Sequence, residues 1–73
     1  MVKCVPIFCC TVARDKALGA LKREFPDLSM TTSSGWAGET GIEIELPRER
    51  LDEVTGFIEE SLALIFVRFG CAN

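Results

Sequence analysis

Between Gly41 and Pro47 the chain alternates without a break: Ile42, Ile44 and Leu46 at the even positions, Glu43 and Glu45 between them. A period of two fits a β-strand with one covered face and one open face. The apolar set therefore points into a core and the two glutamates point away. A strand of this kind needs a layer to cover its apolar face, so the rest of the chain must supply further strands and an amphipathic cover. Pro47 suits the first turn of a helix, because its missing N–H would have no partner there. Leu51, Val54, Phe57, Ile58 and Leu62 then fall at helical spacing, with Glu49, Asp52, Glu53, Glu59 and Glu60 on the outside. Gly56 costs this helix about 1 kcal/mol relative to alanine, and close packing against the sheet is the expected reason for it.

A second helix is expected over residues 15–25. Ala17, Leu18, Leu21 and Phe25 share one face, Asp15 serves as N-cap, and Pro26 with Asp27 ends the helix. Residues 2–12, rich in Val, Ile, Phe and Cys, read as a strand in which Pro6 sits at a bulge or where no N–H partner is needed. Residues 28–32 read as a strand covered on one side, and residues 63–71 as a closing strand. The stretch 33–41 contains Gly35, Gly38 and Gly41 and reads as a flexible hairpin connection. The order is βαββαβ: an α+β chain, forming one domain over residues 1–73, with a four-stranded antiparallel sheet and two helices on one face.

Right-handed crossovers favour the strand order 4-1-3-2, which makes the first and last strands antiparallel neighbours. If paired residue numbers there sum to about 75, an assumed register, Cys4 lies beside Cys71, Phe8 beside Val67 and Cys10 beside Ile65. That face, with Val12 and Phe69, is assigned to the core. The opposite face carries Val5, Ile7, Cys9, Leu64, Phe66 and Arg68, extended by Glu43, Glu45, Ser29 and Thr31. A half-apolar outer face of this sort marks a partner surface. A one-residue shift, or a bulge at Pro6, would redistribute these side chains.

The 73 residues bury a small core, and chains of this size often gain stability from a disulfide, a metal or an oligomer. A net charge of −3, with the eight basic residues scattered along the chain, argues against a direct nucleic-acid partner. No segment reaches the roughly 18 apolar residues of a membrane span. Residues 2–12 have a faint leader character, but Pro6 interrupts them and their removal would delete the first strand. A cytoplasmic location is expected. The four cysteines, Cys4, Cys9, Cys10 and Cys71, have neither knotted-scaffold spacing nor a C-x2-C knuckle, and the chain has no histidine. Buried thiols are expected, with no cofactor and no metal.

Catalytic signals are weak. Glu43 and Glu45 share a strand face and read as solvated rather than as an acid–base pair. Cys9 and Cys10 should point to opposite faces of an extended strand, which opposes a disulfide between them. A reactive thiol at Cys9 would need Arg68 as its cationic neighbour. The Ser33–Gly41 stretch matches no phosphate-loop pattern and joins two strands. Trp36 within it is either a lid over the core edge or a contact residue. No catalytic residue is assigned.

From Ser33 onward, Ser34-Gly35-Trp36, Gly41–Leu46, Leu51-Asp52-Glu53-Val54, Ile58–Leu62 and Ile65–Phe69 resemble the YbeD-like family of small conserved bacterial proteins. The resemblance covers the C-terminal half. It implies a ferredoxin-like, ACT-like regulatory fold and carries over no catalytic residues. The expected function is a non-enzymatic regulatory or protein-interaction module, docking a protein partner or its own copies through the outer sheet face or an edge strand, with Val5, Ile7, Cys9, Leu64, Phe66 and Trp36 as the contact residues. Two alternatives remain open: an ACT-like small-molecule sensor using the hairpin and the sheet edge, and a thiol or metal protein using Cys4 and Cys71 with Cys10.

Overall fold

The computed structural model describes residues 1–34 and 39–70. Strand β1 (Val2–Phe8) leads to helix α1 (Thr11–Glu24). Strands β2 (Ser29–Ser34) and β3 (Thr40–Leu46) follow. A single 3₁₀ turn (Arg48–Arg50) then feeds helix α2 (Leu51–Ser61), and β4 (Phe66–Gly70) closes the fold. All pairings are antiparallel and the sheet order is β2-β3-β1-β4. This is the expected ferredoxin-like βαββαβ fold, with the first and last strands side by side.

The parity of β3 sets the core. Ile42, Ile44 and Leu46 are fully buried, and so are Pro6 and Phe8 on the matching parity of β1, with Cys4 nearly so. Cys4 stands opposite Ile44 and Val2 opposite Leu46. Ala13, Ala17 and Leu21 of α1 and Val54, Ile58 and Leu62 cover this face as one apolar cluster. Phe25 meets Phe57 edge-on, at 5.5 Å between ring centroids, and ties the end of α1 to α2. The Arg50 guanidinium lies over the Phe25 ring and bonds to Asp27, which holds its charged form.

Several boundaries differ from the sequence expectation. Strand β1 ends at Phe8, and α1 begins at Thr11 with Cys10, not Asp15, at the N-cap. The cause is Ala13: with Ala17 and Leu21 it forms a buried stripe at spacing of one turn. Packing on that stripe outweighs the β-propensity of Thr11 and Val12. Val12, expected in the core, is 66% exposed on the first turn of the helix. Cys10, expected beside Ile65 in the core, is exposed. Strand β2 runs on to Ser34 and β3 starts at Thr40, so both ends of the expected hairpin stretch are strand. A Cβ added at Gly56 would meet nothing within 4 Å, so close packing does not explain that glycine.

The largest correction concerns β4. It begins at Phe66, three residues after the expected start, because the Leu62 carbonyl accepts N–H bonds from both Ile65 and Phe66 and closes a turn after α2. Val5 pairs with Gly70, Pro6 with Phe69 and Ile7 with Arg68, in the assumed register, but Phe8 pairs with Phe66. Val67 is therefore the extra residue of a β-bulge, and parity inverts across it. Phe66 and Phe69 both turn toward the helices. Their ring centroids lie 4.6 Å apart, and Phe66 also meets Phe8 edge-on at 6.4 Å. Phe66 thus belongs to the core side, not to the outer face.

Candidate functional site

The outer face is built by the odd residues of β1 and β3. Lys3, Val5 and Ile7 stand beside Glu45, Glu43 and Gly41, with Ser29, Thr31 and Ser33 beyond them and Arg68 and Gly70 on the other side. Lys3 bonds to Glu43 at 3.2 Å. Val5 and Ile7 are half-buried, and Ile7 lies between two glycines: a Cβ at Gly41 would stand 3.0 Å from Ile7 Cδ1, and one at Gly70 3.3 Å. The glycines thus give Ile7 room to lie flat on the sheet. The apolar part of the face is this narrow strip, and polar side chains surround it.

Of the expected contact residues, Val5 and Ile7 share this face. Cys9 is exposed in the bend after β1, and Leu64 is fully exposed (101%) in the turn before β4, so neither lies on the sheet. Phe66 packs inward. Trp36 lies outside the described residues, as does Cys71, so the Cys4–Cys71 pairing falls outside them too. The structure does not gather Cys4 and Cys10: the first is buried midway along β1, and the second is exposed beyond its end. Among the described residues, no three His, Cys, Asp or Glu side chains converge in a way that would hold a metal. Nor is any helix among them long and apolar enough to cross a membrane.

The two edges of the sheet differ. At the β4 edge, Arg68 grips Glu39 through two hydrogen bonds of 2.7 and 2.9 Å, which hold the Glu39 carboxyl below its ordinary pKa of 4.5. The bulge at Val67 twists the same edge. At the other edge, β2 pairs with β3 residue for residue from Ser29 to Ser34 with no interruption. Its sequence, Ser-Met-Thr-Thr-Ser-Ser, contains no charge and no proline. Ser29, Thr31 and Thr32 are exposed, although Thr31 and Thr32 point to opposite faces, so this end of the strand is open above and below. The rim beside it is anchored by Thr40, whose hydroxyl donates to the Ser33 carbonyl at 2.7 Å and accepts from Arg14 at 3.0 Å.

Sequence reading placed Thr31 on the outer face and allowed docking through an edge strand, but did not choose between the two edges. The available signal was the absence of charge and proline from 28–34, which acquires meaning only once the sheet order is known. Comparison with protein-family models, with curated proteins and with solved structures found no match.

Proposed function

We propose that this chain is a non-enzymatic interaction module that associates through the edge of its sheet at β2, with a second copy of itself as the partner. The observation that carries the reading is the regular, uncharged and unblocked course of β2. Edge strands offer a row of free N–H and C=O groups, and proteins that avoid pairing blunt them with charge, proline or bulges. The β4 edge carries such devices and, among the described residues, the β2 edge carries none. An antiparallel β2–β2 contact is self-complementary about a two-fold axis. It brings no like charges together, and it would extend the sheet from four strands to eight by main-chain pairing. Val5 and Ile7 provide a secondary apolar strip on the continuous outer face. A reducing, cytoplasmic setting accords with a chain whose cysteine spacing offers no disulfide framework.

Sedimentation velocity over a concentration series tests this. The expected result is a reversible monomer–dimer equilibrium that Thr31→Lys abolishes, because a lysine there puts a charge on each strand of the new pair. A wild-type chain that stays monomeric at high concentration, or a Thr31→Lys variant that dimerises equally well, would refute the proposal.

A further inference from the structure

Each helix carries one glycine in its interior, and both glycines face away from the sheet. Gly19 lies opposite the buried stripe of Ala13, Ala17 and Leu21, and Gly56 lies opposite Val54 and Ile58. A Cβ added at either would meet nothing within 4 Å. The packing of this chain therefore requires neither glycine, and each weakens its helix. What such a glycine offers on an outward face is bare backbone, against which another helix can lie close. The side chains three and four residues before and after each glycine share its face. Around Gly19 these are Asp15, Lys16, Lys22 and Arg23; around Gly56 they are Asp52, Glu53, Glu59 and Glu60. All are exposed. Asp15 is held by Arg14 at 2.9 Å, and Glu53 by Arg50 at 3.4 Å. Among the described residues the others form no ion pair. The α1 patch is thus basic and the α2 patch acidic, with a glycine at the centre of each. Val12, two turns before Gly19 on the same face, adds an apolar side chain that is 66% exposed.

We infer that the outward helix layer is a second docking surface for another copy of this chain, with α1 of one copy lying on α2 of the other. Gly19 then faces Gly56, and Lys16, Lys22 and Arg23 meet Asp52, Glu59 and Glu60. A two-fold axis makes the contact twice, since α2 of the first copy lies on α1 of the second. The other two-fold arrangement, α1 on α1, sets like charges face to face and is opposed by them. Charge complementarity thus selects both the occupant and the pairing. The inference does not rest on the edge contact at β2, which uses main-chain pairing without charge. One copy has room for both, so edge dimers can pair through their helices.

The test uses the full chain carrying Thr31→Lys, which removes the edge contact, in sedimentation velocity at about 0.01 M and about 1 M salt, where the screening lengths are roughly 30 and 3 Å. The edge equilibrium of the unaltered chain is read at the higher salt, so the failure of either reading shows without the other. Dimers of the Thr31→Lys parent are expected at low salt, with affinity falling by roughly tenfold or more at high salt. On that parent, Lys16→Glu with Arg23→Glu should give a monomer. So should Asp52→Asn with Glu59→Lys and Glu60→Lys. An equimolar mixture of the two should form a heterodimer, because the altered α1 meets the altered α2 while the unaltered pair is kept. Gly19→Ala and Gly56→Ala should each raise the melting temperature, since the added methyl meets nothing, yet weaken the low-salt dimer severalfold. A parent that stays monomeric at low salt, a mixture that forms no heterodimer, or glycine variants that dimerise as well as the parent would overturn the inference.

Discussion

The two edges of one small sheet are finished in different ways. On the β4 side, a bulge at Val67 lets Phe66 and Phe69 both reach inward, and Arg68 locks onto Glu39. On the β2 side, the strand pairs without a bulge, carries no charge and exposes Ser29, Thr31 and Thr32. The bulge serves two purposes: it disrupts the ladder that a foreign strand would copy, and it places a second aromatic ring over the core. β4 is therefore held by side-chain packing, whereas β2 depends mainly on its ladder to β3 and on Met30, which packs on the core. The difference teaches that an edge can be closed by burying more of its side chains, and that an edge with little to bury is left available for pairing.

The contrast is broken most directly at the aromatics. Phe66→Ala and Phe69→Ala should each cost about 2 to 3 kcal/mol in urea unfolding, because both half-buried rings leave a gap in the core. A small cost for Phe66 alone would return it to the outer face and remove the bulge from the account. The glycines sharpen the comparison next. An alanine Cβ at Gly41 would approach Ser33 Oγ and Ile7 Cδ1 at 3.0 Å and the Pro6 carbonyl oxygen at 3.1 Å, whereas at Gly70 its nearest contacts are 3.3 to 3.5 Å. Gly41→Ala should therefore destabilise by roughly 1 to 3 kcal/mol, and Gly70→Ala by clearly less, as read by thermal melting.

High pH probes the covered side without changing a side chain there. Between pH 9.0 and about 11 the Cys4 thiol ionises in the unfolded chain while the folded chain keeps its proton. The unfolded state then binds fewer protons, so stability falls as pH rises. Its contribution is intact below pH 9.0 and is lost on approach to 11, amounting to as much as about 2 kcal/mol. A Cys4→Ala variant should lack this component of the pH profile. The smallest effect on folding belongs to the bare edge: Thr31→Lys should change monomer stability by less than about 0.5 kcal/mol even as it removes self-association. A large loss of monomer stability in that variant would mean that β2 is held by more than its ladder.

How much of this was legible beforehand varies by element. The Ile42–Leu46 alternation and the Val54, Ile58, Leu62 stripe were readable because each strand or helix shows its buried face as a local period. The start of α1 was not, since Thr11 and Val12 look like strand residues and only the burial of Ala13 under the sheet decides for helix. The face of Phe66 was hidden for a related reason: one extra residue at Val67 reverses every parity argument on its far side, and no feature of residues 63–70 announces it. Cys9 and Leu64 were assigned to a sheet face by extending strands past their true ends.

By itself, the sequence determined the element order, the βαββαβ topology, the strand neighbours and the core parity of β3. These follow from periodicity and chain connectivity, which are local or nearly so. The tertiary structure decided where β1 gives way to α1, which way Phe66 faces, that Cys9 and Cys10 lie exposed in the bend before α1, and that β2 is an uncharged edge strand. Each of these depends on contacts between segments far apart in the chain, where packing a few side chains outweighs the preference of any single stretch.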